Sequence, residues 1–260
     1  MGNKLDNATR LYLEGIRDGN PKEAIEKYTG QRYRQHSTGV KDGKEGFLEF
    51  FEDFIKRNPK REIDIIRGWE DGRYVFVQAY QSLNDGKSRW ITTDFFDTDD
   101  EDRMIEHWDV ISAYSDKLSP SGRTSIDGET TITDLDKTEE NKAIVRAVLE
   151  GSLMRGGDLS VIDQYIAPEY IQHNPDVPDG REPFKALASS PDRPLNYDEI
   201  VLLVGQGNFV ATLSRANWND GELNQDYAQV DIFRLANGKI VEHWDNVEPV
   251  PETHVNSGKF

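Results

Sequence analysis

Two short strings carry an imidazole and a carboxylate two residues apart: His107-Trp108-Asp109 and His243-Trp244-Asp245. On a β-strand alternate residues share a face, so each His and Asp would stand together, with the Trp on the opposite side. Whether Asp231 joins His243 and Asp245 depends on the turn before them. A two-residue Asn237-Gly238 loop pairs Asp231 with Trp244. A three-residue Ala236-Asn237-Gly238 loop, with Gly as the left-handed bulge residue, pairs Asp231 with His243 and puts all three groups on one face. Asp94, His107 and Asp109 allow the same arrangement, although the acidic turn between Thr98 and Arg103 leaves that register unreadable. Two carboxylates and an imidazole walled off from water suit proton transfer next to a carbonyl, because desolvation and like-charge repulsion raise a carboxyl pKa toward neutral pH. One pKa unit corresponds to about 1.4 kcal/mol, so modest burial already matters. The competing readings are an Asp–His pair that only satisfies itself and a metal site of imidazole and carboxylate ligands. Acid/base chemistry is the preferred reading, with neither metal nor cofactor.

The strings recur because the chain is duplicated. Tyr33-Arg-Gln-His36, Asp42-Gly43 and Phe47 return 137 residues later as Tyr170-Ile-Gln-His173, Asp179-Gly180 and Phe184, and His107 returns as His243 after 136 residues. Asn84-Asp85-Gly86 and Asn219-Asp220-Gly221 correspond between them. A period this long matches one ordinary domain, which predicts copies over 1–116 and 139–250, a linker over 117–138 rich in Ser, Thr, Asp and Gly, and a tail over 251–260. Each copy opens on a helical pattern, Leu5, Ala8, Leu11, Tyr12 and Ile16 in the first and Ile144, Val148, Leu149 and Leu153 in the second. Shorter helices follow over 22–28 and 159–165. The repeated Gln-His then enters a loop, and a third helix runs through Phe47, Phe50, Phe51 and Phe54, with a shorter counterpart in copy two. The period then changes to two, predicting strands over 62–69, 74–82, 89–97 and 104–114, matched by 196–204, 209–218, 225–235 and 239–247. Helices first and an antiparallel sheet after is an α+β plan.

Composition narrows the function. Lys+Arg 31 against Asp+Glu 48 gives a net charge of −17, a field that repels phosphate backbones and anionic lipid, so neither nucleic acid nor membrane is an expected partner. Cysteine is absent, which removes disulfides, thiolate nucleophiles and Cys-based metal sites. The opening residues lack an apolar leader, and no run approaches 18 apolar residues, so a soluble cytoplasmic protein is expected.

The element order and the closing string Gly238-Lys-Ile-Val-Glu-His-Trp-Asp245 resemble the SnoaL-like polyketide cyclase group of the nuclear-transport-factor-2-like superfamily, here as a tandem duplication. The resemblance implies two cone-shaped domains, each with N-terminal helices packed in a curved, mainly antiparallel sheet that encloses a pocket. In SnoaL-type cyclases an Asp on the last strand is the acid/base for an intramolecular aldol condensation, and the shared string places it at Asp109 and Asp245. Those cyclases carry a His on the preceding strand, where this chain has Asp94 and Asp231. The same group includes isomerases, hydrolases and noncatalytic modules. The resemblance therefore implies a cofactor-independent cyclase or isomerase acting on a small carbonyl compound, with Asp109, Asp245, Asp94, Asp231, His107 and His243 as the catalytic set. The alternative is a noncatalytic module that binds a small ligand or a protein. An enolate oxygen needs a donor, and His36, His173, Tyr33 and Tyr170 are the candidates for binding substrate. Superfamily members commonly dimerise through the outer sheet face. Phe95, Trp108, Val110, Ile232 and Trp244 on that face predict an internal pseudo-dimer of the two halves.

Overall fold

The computed structural model describes residues 3–260; residues 1 and 2, at the start of copy one, lie outside the described residues. The chain divides into two compact units, one of residues 1–114 with 251–260 and the other of residues 115–250. Each is an α+β cone.

In the first unit, α1 (Asn3–Arg10) continues into a π-helical stretch, Leu11–Arg17, followed by α2 (Pro21–Tyr28), β1 (Thr29–Gln35) and α3 (Gly43–Arg57). Pro21 suits the first turn of α2 because its missing N–H would have no partner there in any case. Four longer strands complete the unit: β2 (Arg61–Asp71), β3 (Tyr74–Leu83), β4 (Ser88–Thr98) and β5 (Met104–Ala113). The sheet order is β1-β5-β4-β3-β2, antiparallel throughout except that β1 runs parallel to β5. The apolar stripe Ala8, Leu11, Tyr12 and Ile16 packs with Ile25, Tyr28, Val75, Val77 and Phe96 as the inner core.

The second unit repeats this order. A single 3-10 turn, Leu135–Lys137, leads into α4 (Thr138–Ser152), α5 (Ser160–Tyr165), β6 (Ile166–Gln172), α6 (Arg181–Ser189), β7 (Leu195–Gln206), β8 (Phe209–Asn219), β9 (Asn224–Ala236) and β10 (Lys239–Pro249). Its sheet order, β6-β10-β9-β8-β7, is that of the first, again with the short first strand parallel to the last. Val145, Val148, Leu149, Ile162, Val210 and Phe233 form its core.

The short strands β1 and β6 were not among the strands expected from periodicity. Their sequences, TGQRYRQ and IAPEYIQ, lack the regular apolar alternation that marks the others, and they are held by pairing to β5 and β10. No helix among the described residues is long and apolar enough to cross a membrane.

Candidate functional site

The chemistry of each unit gathers where the last two strands meet. In copy two, Ala236 pairs with Lys239 across a two-residue turn, and Asn237 and Gly238 both have positive φ, 52° and 70°, as the tight hairpin turn requires. The register then shifts between Ile240 and Glu242, so Asp231 lies directly opposite Asp245 and Ile232 opposite Trp244. Neither register expected from the sequence occurs. The turn has two residues, and the bulge at Val241 adds one, which restores Asp231, His243 and Asp245 to a single face. Copy one reaches the same result, with Asp94 opposite Asp109 and a register shift between Asp97 and Thr98.

The inner face of copy two borders a cavity of about 420 Å³ walled by Tyr170, Phe184, Leu195, Trp218 and Phe233, with Asp231, His243 and Asp245 among its polar lining. His243 Nε2 lies 3.0 Å from Asp231 Oδ1, and its Nδ1 lies 2.9 Å from Gln172 Oε1. The imidazole thus bridges the Gln172 amide and the Asp231 carboxylate. The Tyr197 hydroxyl donates to Asp231 Oδ2 at 2.8 Å, and Asn174 Nδ2 donates to Asp245 Oδ2 at 2.6 Å. Burial raises the Asp245 carboxyl above the ordinary range, with Asp231 adding to the rise and His243 and Asn174 opposing it. The Tyr170 and Tyr197 hydroxyls are pushed well up by burial and by the neighbouring carboxylates, and stay protonated.

Copy one reproduces the cluster around a smaller cavity of about 180 Å³ lined by Tyr12, Tyr33, Phe47, Phe51, His107 and Asp109. His107 bridges Gln35 Oε1 and Asp94 Oδ1, each at 2.8 Å, and the Tyr12 hydroxyl donates to Asp94 Oδ1 at 2.7 Å. Burial raises the Asp94 carboxyl, and its second oxygen, Oδ2, is buried without a partner. Asp109 goes the other way. Burial would raise it, yet the Lys259 ammonium, 3.1 Å from Oδ1, together with His107 and Ser37 holds it below the ordinary range. Ligand atoms of Asp94, His107 and Asp109 lie within 4.8 Å of one another, close enough to share a metal ion, but Lys259 already places a cation on Asp109.

Tyr33 and Tyr170 line the cavities, while His36 and His173 do not. Gln35 sits beside His107 in the sheet and shares its inward face, so the next residue, His36, points outward. There His36 stacks on Trp108 at 4.8 Å between ring centroids, and its Nε2 meets Glu106 Oε1 at 2.9 Å. His173 stacks in the same way on Trp244 at 4.6 Å and bonds Glu242 at 2.9 Å. Neither histidine lines its cavity, whereas Gln35 and Gln172 do. The repeated Gln-His string carried that signal in its Gln.

Tyr12 and Tyr197 serve equivalent carboxylates from different elements. Copy two has Leu149 at the repeat position of Tyr12, and copy one has Ile63, opposite Gln81, where Tyr197 stands opposite Ala216. Tyr12 was legible only as the one polar-tipped member of an apolar stripe. Tyr197→Phe removes a bond to a buried carboxylate and is expected to cost about 1.5–3 kcal/mol, read from the urea midpoint of the second unit. An unchanged midpoint would contradict that bond.

Residues 145–243 match the model of the SnoaL-like domain family. The match lies within copy two. Copy one repeats its strand order and its inward-facing cluster, so the chain is a tandem of two units of one α+β fold. Among solved structures, the chain is similar to an LEH-like epoxide hydrolase of M. tuberculosis, at 17% identity over 43% of this chain and 85% of that one, with a TM-score of 0.38. It is also similar to an NTF-2 like protein of unknown function from Burkholderia xenovorans LB400, at 23% identity over 44% and 88%, with a TM-score of 0.37. A third, TsrD from Streptomyces laurentii, shares 20% identity over 42% and 89%, with a TM-score of 0.35. No curated protein matches the chain at a significant level.

Proposed function

We propose that the SnoaL-like copy two is a cofactor-independent acid/base catalyst that moves a proton next to the carbonyl of a small, uncharged, largely apolar compound, in an aldol-type cyclisation or an enolisation. The observation that carries this reading is Asp245. It faces a largely apolar cavity, has no lysine or arginine partner among the described residues, and has its proton affinity raised by burial beside a second carboxylate. In the proposed step Asp245 takes the proton from the carbon next to the carbonyl. Tyr170, protonated and at the cavity wall, is the candidate donor to the enolate oxygen. Asp231, tied to Tyr197 and His243, holds the geometry of the cluster, and the proton taken up by Asp245 is the one returned to product. Two carboxylates at the base of the cavity disfavour anionic substrates.

Incubation of the chain with a panel of cyclic ketones in D2O tests the reading. Deuterium should enter the position next to the carbonyl with wild-type protein and not with Asp245→Asn. Equal incorporation by both would remove Asp245 from the chemistry. A noncatalytic, ligand-binding reading has its own supporting observation in copy one, where Asp109 is ion-paired rather than poised.

A further inference from the structure

The two inner sites differ in charge at one carboxylate. Each has a Gln–His–Asp relay and a tyrosine hydroxyl on the same Asp, but the second carboxylate meets a neutral amide from Asn174 in copy two and the Lys259 ammonium in copy one. The pair is enclosed: the Lys259 side chain is 1% exposed and that of Asp109 5%. Lys259 comes from residues 251–260, which pack into the first unit through a set of specific bonds. Val255 N donates to Thr38 O at 3.1 Å, and Asn256 Nδ2 donates to Ser37 O and Val40 O at 2.6 and 2.9 Å. Arg34 Nε donates to Ser257 Oγ at 2.9 Å, and His36 Nδ1 meets Gly258 O at 2.7 Å. Gly258 takes φ +99°, a turn that favours glycine, immediately before the lysine. The outward-facing His36 thus has a role after all, as an anchor for this segment. In copy two the matching His173 Nδ1 meets Thr124 O at 2.8 Å from the 115–134 stretch, but that stretch sends no cation to Asp245.

We infer that copy one is a latent second acid/base site, silenced by residues 255–259, which seat the Lys259 ammonium on Asp109. A carboxylate held by a buried ammonium is a poor base, because the adjacent positive charge favours its ionised form and lowers its proton affinity. Neutralising Lys259 removes the one cation that sits on Asp109 and not on Asp245. This inference rests on the acid/base reading of copy two, and the test separates the two.

The test uses the full chain with Asp245→Asn, so that copy two is silent, and nitrobenzisoxazole as probe. A desolvated carboxylate takes the ring C–H proton, the C–H electron pair forms the nitrile as the N–O bond breaks, and a coloured cyano-nitrophenolate leaves. With Lys259 in place the rate should stay at that of buffer carboxylate. Lys259→Gln supplies a neutral amide, as Asn174 does in copy two, and should raise the rate roughly tenfold or more. Adding Asp109→Asn to that variant should abolish the gain, and Lys259→Arg should stay silent. If the Gln variant does not fold, Lys259→Met, a neutral near-isostere, takes its place. A folded neutral variant with no Asp109-dependent gain, or Asp245→Asn protein with turnover that neutralising Lys259 leaves unchanged, would overturn the inference. Absence of Asp245-dependent turnover in the parent chain would strike the reading of copy two alone.

Discussion

Replacing Asp245 by Asn is expected to lower turnover of a proton-transfer substrate by about 10²–10⁴-fold, the usual contribution of a positioned general base, while leaving the chain as stable as before or more so. The second half follows from the direction of the pKa shift. Burial and Asp231 raise the Asp245 carboxyl in the folded chain, so the folded state binds this proton more tightly than the unfolded state does. Stability linked to this group is full below the ordinary carboxylate range and falls as pH rises through the raised folded value. At neutral pH the ionised carboxylate is thus a cost that Asn removes, while its side-chain oxygen still accepts from Asn174 Nδ2. A gain on the order of 1 kcal/mol, or about 2–4 °C in the melting temperature of the second unit, is expected at pH 7.5. The gain should vanish at acid pH, where Asp245 is protonated. A marked fall in melting temperature would instead mark Asp245 as a structural residue.

The same substitution at the repeat position is expected to act in the opposite direction. Asp109→Asn leaves the buried Lys259 ammonium without its carboxylate, and breaking a buried pair from one side costs about 3–5 kcal/mol. Because Lys259 and His107 depress the Asp109 carboxyl, its contribution is present above the ordinary carboxylate range and is lost as pH falls through the lowered folded value. Calorimetry should show the loss in the transition of the first unit only, since the two compact units need not melt together. Removing both charges in Asp109→Asn/Lys259→Met should recover most of it, because a neutral pair strands no ion. Opposite signs for Asp109→Asn and Asp245→Asn are the sharpest physical difference between the two copies. Equal losses at both positions would contradict the contrast drawn between the two sites.

The sequence by itself determined the duplication, the helices, the four long strands of each copy and the common face of His and Asp. These rest on local periods, 3.6 for helices and two for strands, which recur in the second copy at offsets of 135 to 137 residues. The partner of Asp245 was not legible, because a single bulged residue at Val241 shifts every later pair by one, and a bulge in a strand of this composition leaves no mark in the alternation. The sequence does not say which way His36 and His173 point, because β1 and β6 lack the alternation that marks a strand, and without a strand there is no parity to say that Gln faces in and His out. Tyr12 and Tyr197 escaped the repeat because each copy supplies the same hydroxyl from a different element, so that no matched position records it. Only the tertiary structure could bring Lys259 to Asp109: the two are 150 residues apart, and nothing in a ten-residue tail indicates which carboxylate its one lysine will neutralise.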